Sequence, residues 1–347
     1  MRPLRIGAKS FHYKAMIGVG GTGGGSFFAL SGNHTLGREE SRGGRFLDRK
    51  DYCKLHIISH YVRTLLGSEF AVIPIGKVGD DEVGKRLFAE MEEAGLDMRY
   101  VKSSPGDQTL FSFCFVYPDG SGGNMTTDDS ACSKVDPEFV AQAEPEFGRF
   151  EGKGIVLAVP EVPLEARQAL LELGTRHGFF RVASFTSEEI PAAIESGVLR
   201  SVDLLAINID EAAIAAGISS VDKTAEAIAE AAVARLREIN PKMLVSITAG
   251  ANGSWAWDGS ALSHATIYKT NAVSTAGAGD AHLSGVIAGL VAGLPMAEAQ
   301  RLGALVGALS VTSPHTINKE ICRDTLRDFA AQTGADIPNS VKELLEG

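Results

Sequence analysis

GIVLAVPEVPLEARQALLELGTRHGFFRVASF, residues 154–185, is the stretch on which the fold class turns. Ile155–Val159 is an unbroken apolar run, short and partly β-branched, as expected of a strand covered on both faces. Leu164–His177 has the length and spacing of a helix, and Phe179–Ser184 returns to a strand. Two strands joined by a helix of this length lie parallel, because the crossover carries the chain back to the same end of the sheet. The alternation continues through Ile190–Leu199, Leu204–Ile207, Thr224–Glu238 and Met243–Thr248. The predicted architecture is therefore α/β, a mostly parallel twisted sheet with helices on both faces.

Working outward, Ala15–Val19 reads as a buried strand that runs into GVGGTGGGS, and Tyr52–Leu66 as a helix with Leu55, Ile58, Val62 and Leu65 on one face. A strand over Phe70–Ile75 and a helix over Val83–Ala94, closed by Gly95, follow. Thr109–Tyr117 alternates like a strand and ends at the turn Pro118-Asp119-Gly120. Two stretches, about 31–48 and 109–125, suit a small β lid on one domain spanning 1–347, and the chain beyond Asp280 reads as helical.

Acidic residues outnumber basic ones by 43 to 33, a net charge of −10 that repels a nucleic-acid backbone. Cys53, Cys114, Cys132 and Cys322 are widely spaced, a pattern of neither zinc ligation nor a disulfide framework. The apolar run 281–297 is interrupted by His282 and Pro295, so no membrane span is expected, and neither is a signal peptide. A cytoplasmic protein is the expectation.

STAGAGDAHLSGVIAGLVAGL, residues 274–294, carries the chemistry. Gly277-Ala278-Gly279 lead into a helix whose free N–H groups and dipole suit a phosphoryl group that gains charge during transfer. Asp280 stands beside that turn, where it can accept a proton from an alcohol. The same four residues also read as a tight turn with a helix cap. Asn208 followed three residues later by Glu211 reads as a capping box at a helix start.

Taken together, these segments resemble the ribokinase-like (PfkB) carbohydrate kinases. GAGD at 277–280 looks like the end of that family's D-T-x-G-A-G-D signature, and Gly76, Gly79, Asp81, Gly84, Gly95 and Asp97 fill its upstream pattern. The resemblance implies an ATP-dependent kinase acting on a hydroxyl of a sugar or sugar derivative, with Asp280 as base and Gly277, Ala278 and Gly279 as the anion hole. It further implies nucleotide contacts at Asn208, Thr248, Gly250 and Gly253, Mg²⁺ near Glu211, and a lid hairpin around YPDGSGG with Thr109 at the start of its strand. Gly43 and Gly44 resemble the family's substrate-site glycine pair, with Arg42 of the basic stretch beside them, and the resemblance also implies a homodimer through the lid.

Three features depart from the family. Ser274 replaces the Asp that helps hold a monovalent cation, which argues against potassium activation. The first strand ends in glycines where a sugar-binding carboxylate is usual. The stretch 38–54 is basic, and its Arg38, Arg42, Arg45 and Lys54 suit an acidic sugar as well as a solvated lid surface. His56 and His60, one helical turn apart, lack a third ligand and read as structural. His282 is expected to pack near the site, and His315 to line a surface loop or the adenine pocket.

Two other readings stand beside the kinase. Gly18, Gly20 and Gly23 spell G-x-G-x-x-G after a strand, which suggests an NAD-dependent oxidoreductase if a helix follows. A catalytically silent sugar-binding relative is the other.

Overall fold

The computed structural model describes residues 1–7, 10–119 and 121–346, so Gly120 of the expected turn lies outside the described residues. The large sheet has nine strands, in the order β13-β12-β11-β10-β9-β8-β1-β4-β5. These are β1 (Ala15–Val19), β4 (Ala71–Gly79), β5 (Tyr100–Ser104), β8 (Gly154–Ala158), β9 (Phe180–Ala183), β10 (Leu204–Asn208), β11 (Leu244–Thr248), β12 (Ser254–Trp257) and β13 (Leu262–Ala265). From β5 to β11 every pairing is parallel, and β12 and β13 close one edge antiparallel. The fold is α/β, as the alternation predicted, and ribokinase-like, as the family resemblance implied.

Each face of the sheet carries its own apolar core. One is built on Tyr61, Leu65, Leu157 and the helices Ala278–Val291 and Met296–Ser310. The other is built on Val156, Leu170, Phe185 and Ile247. Covering on both faces is why β1 and β8 are apolar at every position instead of alternating. The helix Ala278–Val291 is buried on nearly all sides, which fixes the position of its first turn.

A second, four-stranded sheet stands over one end, in the order β3-β2-β6-β7, with β2 (Gly23–Leu30), β3 (Gly44–Tyr52), β6 (Leu110–Val116) and β7 (Gly122–Thr126). It is more extensive than the two expected stretches, because the glycine-rich run after β1 enters this sheet as β2. That path also removes the dinucleotide reading. Gly23 opens a strand, so no helix N-terminus follows Gly18 and Gly20 to receive a pyrophosphate.

The lid is tied to the main body at its base. The Lys50 amide donates to His315 Nδ1 at 3.0 Å and the Tyr52 amide to Thr316 Oγ1 at 3.1 Å. Thr109 is buried there as well. Its hydroxyl donates to Asp81 Oδ1 at 2.6 Å and accepts from the Gly79 amide at 2.9 Å, so it anchors the lid and does not face the cleft.

Candidate active site

Parallel strands leave their C-terminal ends on one edge, where side chains and helix N-termini converge. Asn208 ends β10 and Thr248 ends β11, and the two are paired in register. The first turn of the helix Ala278–Val291 lies across this edge, and a Cβ added at Gly279 would stand 3.7 Å from Thr248 Oγ1. Between them is a cavity of about 220 Å³ whose lining includes Lys54, Asn208, Glu211, Thr248, Gly277, Gly279 and Asp280. Residues separated by more than 200 positions in the chain thus share one wall.

Gly277 has φ 77°, a left-handed conformation that costs any side chain about 1 kcal/mol or more. A Cβ there would also lie 2.8 Å from the Thr316 carbonyl oxygen. The turn spends one amide on itself, since Ala278 N–H donates to Thr275 O at 3.2 Å. Gly277 and Gly279 line the cavity and Ala278 between them does not.

Asp280 is 8% exposed, and its Oδ1 accepts from Lys54 Nζ at 2.8 Å. Burial works to lower the Lys54 pKa, but Asp280, with help from Glu211 and Glu161, outweighs it and holds the ammonium above its ordinary value. Among the described residues lining the cavity, Lys54 carries the one full positive charge. Asn208 and Glu211 do form a reciprocal capping box. Asn208 Oδ1 accepts from the Glu211 amide at 2.9 Å, and Glu211 Oε2 from the Asn208 amide at 2.8 Å. Burial raises the Glu211 pKa, countered by the Asn208 amide. Capping and lining coexist, so neither reading excludes the other.

Gly250 and Gly253 form the short turn after Thr248, both at positive φ, next to the cavity but outside its lining. His282 lines the cavity, 3.2 Å from Ser254 Oγ, and burial pushes its pKa down to about 4. His56 and His60 are buried beside Tyr52, and burial takes them to about 3 and about 4. They are neutral packing groups. No cluster of three or more metal-ligating side chains occurs among the described residues.

The expected substrate residues are the ones the structure does not bring to the cleft. Gly44 is at the outer end of the nine-residue β3, paired with Leu30. That is about 25 Å of strand from Tyr52 at the lid base. Gly43 has open space around it. Arg42 is spent on Glu40 and the His34 carbonyl. The correction follows from where the helix begins. It starts at Lys54, so Lys54 reaches the cavity where the glycine pair was expected.

Glu161, which the sequence reading passed over, sits three residues beyond β8 at φ 76°, a strained conformation for a glutamate. A Cβ on Gly21 would lie 2.5 Å from Glu161 Oε2, so the carboxylate fills the space over the first strand's glycines. Burial pushes this carboxyl up to about 7, against the lowering influence of Cys53 and Lys54. Its position was legible: a carboxylate between Pro160 and Pro163, just past the C-terminal end of a parallel strand, is placed as such folds place ligand contacts.

A carboxylate, a glycine turn and a lid are thus gathered at the carboxyl edge of the parallel sheet. The chain belongs to the pfkB family of carbohydrate kinases, whose family model matches residues 64–322. It is 26% identical over 251 residues to a ribokinase of Haemophilus influenzae, covering 71% of this chain and 76% of that one. The fold superposes on the ribokinase of Giardia lamblia with a TM-score of 0.77 at 18% identity, covering 92% and 99% of the two chains. Arabidopsis thaliana ribokinase complexed with ribose and ATP gives 0.70 at 18% identity, covering 91% and 98%.

Proposed function

We propose that this kinase transfers the γ-phosphate of ATP to a hydroxyl, most simply a primary one, of a sugar or sugar derivative. The observation that carries the reading is the shared cavity. Asp280 and the Gly277 and Gly279 backbone face the same space as Asn208, Glu211 and Thr248. ATP would extend over Asn208 and Thr248 toward Gly250 and Gly253, with its terminal phosphate at the start of the helix Ala278–Val291. Amides aimed at a group that gains negative charge lower the barrier, since their orientation is fixed before reaction. Asp280 takes the proton from the attacking hydroxyl, and Lys54 fixes the direction of its carboxylate.

Magnesium suits Glu211: one carboxylate within a phosphate site is a usual protein share for an ion that keeps several waters. When bound it would offset phosphate charge. Ser274 offers no carboxylate for a monovalent cation, and potassium dependence is not expected. The lid excludes water, which competes as phosphoryl acceptor. Its outer face carries Phe46 edge-to-face with Phe28 and Phe113, with Phe46 67% and Met125 56% exposed. That apolar face supports a homodimer through the lid. No helix among the described residues is long and apolar enough to cross a membrane, and a cytoplasmic, single-domain enzyme fits the whole.

Thermal shift with ATP, NADH and sugars tests the reading against its rivals. ATP with Mg²⁺ is expected to raise the melting temperature and NADH to leave it unchanged, with ADP formed when an acceptor is present. Stabilisation by NADH alone, or by a sugar with no turnover of ATP, would overturn it.

A further inference from the structure

Resting on the kinase reading, we infer that Thr316 is a positioning residue that ties the seat of the lid strand β3 to the turn at Gly277–Asp280. Thr316 lies beyond the helix Met296–Ser310 and is 2% exposed. Its hydroxyl oxygen accepts from the Tyr52 amide at 3.1 Å, and its own amide donates to the Lys50 carbonyl at 3.1 Å. His315 adds a third bond to the same strand, accepting from the Lys50 amide at 3.0 Å. On its other flank the strand is held by side chains, since Lys50 Nζ and the Tyr52 hydroxyl both donate to Glu90 of the helix Glu82–Glu93, at 3.2 and 2.7 Å.

The far side of Thr316 meets the catalytic turn. A Cβ at Gly277 would lie 2.8 Å from the Thr316 carbonyl oxygen and 3.2 Å from the Thr316 Cβ, so the two backbones pack without a gap. Gly277 lines the cavity and opens the helix that carries Asp280. Asp280 accepts from Lys54 Nζ at 2.8 Å, and Lys54 begins the helix two residues after Tyr52 ends β3. The path from β3 through Thr316, Gly277, Asp280 and Lys54 therefore returns to its origin. Close-packed contacts transmit displacement, so a shift at the end of β3 acts on the Gly277 backbone and on the base together.

Such a link favours the acceptor over water. In either reaction an oxygen bonds to the γ-phosphorus, the bond to the β-phosphate oxygen breaks and ADP leaves, and the proton of the attacking oxygen passes to Asp280. A turn and a base that reach working geometry only with the lid seated act when water is already excluded. Removing the Thr316 hydroxyl leaves the buried Tyr52 amide without its acceptor and loosens the end of β3, while the Thr316 backbone still packs on Gly277.

The test measures ADP and phosphorylated acceptor separately, with the full-length protein and the best acceptor found among pentoses, hexoses and nucleosides. Thr316→Val keeps the branched shape and removes the hydroxyl. It should lower kcat about 10-fold, leave the KM for ATP within about twofold, and raise the ADP formed per acceptor phosphorylated from about one to about three or more. Thr316→Ser restores the hydroxyl and should return kcat and this ratio to within about twofold of the wild type. Thermal melting checks folding. Should Thr316→Val not fold, His315→Ala breaks the Lys50 contact on the less buried side and should raise the same ratio. An unchanged ratio in the folded variant, whatever happens to kcat, makes Thr316 a packing residue and overturns the inference, as does a Ser variant no better than the Val one; both leave the kinase standing. A wild-type protein that phosphorylates no acceptor would instead bring down the kinase reading and the inference with it.

Discussion

Replacing Lys54 with Met keeps the length of the side chain and removes its charge, leaving Asp280 buried without its partner. At 2.8 Å two unit charges attract by about 6 kcal/mol at an effective dielectric of about 20. Desolvation takes back much of this, and the Lys54 side chain is 34% exposed, so a net coupling of roughly 2 kcal/mol remains. For 347 residues the unfolding entropy is about 0.7 kcal/mol per degree, which turns that loss into a fall in Tm of about 3 °C. A double-mutant cycle of Lys54→Met with Asp280→Asn, followed by denaturant unfolding, isolates the pair from the rest of the site. Lys54→Met should also lower kcat more than it raises the KM for ATP, since the carboxylate loses its fixed direction. A coupling below about 0.5 kcal/mol, together with normal turnover of Lys54→Met, would refute the idea that this contact positions the base.

Glu161→Gln tests the buried carboxyl through pH. Its folded pKa of about 7 lies above the ordinary 4.5, so the stability of its protonated form is fully present below pH 4.5 and is lost as pH rises through 7. The variant should match the wild type near pH 4.5 and melt up to about 4 °C higher near pH 8, a gain of at most about 3 kcal/mol. An equal difference at both pH values would dismiss the titration. Glu211→Gln keeps its cap, and activity against free Mg²⁺ should show a requirement several-fold higher; an unchanged curve would leave Glu211 a capping residue only. Phe46→Arg should convert a lid dimer to monomer in sedimentation, and an unaltered sedimentation coefficient would place any dimer elsewhere.

The parallel core was legible because it obeys strong local rules. Ile155–Val159 and Leu204–Ile207 are apolar runs of strand length, and the helices between them carry plain periodicity. The turn at Gly277–Asp280 was legible because glycines before a helix have few other uses. The lid was only half visible. Gly23–Leu30 opens on three glycines, which propensity assigns to a turn, and it becomes a strand because β3 and β6 pair with it on both sides. The acceptor end was misplaced for a related reason. Gly43 and Gly44 match a motif by spelling, whereas the long β3 carries them to the lid's outer end and delivers Lys54 instead. Spacing along a chain cannot register an inserted strand.

Single-turnover phosphoryl transfer by Asp280→Asn, measured beside ATP affinity, bears most directly on the claim that this carboxylate is the base. Turnover should fall by on the order of 10² to 10⁴ while the Kd for ATP stays within about threefold. Transfer at the wild-type rate, or loss of ATP binding in step with loss of turnover, would contradict it.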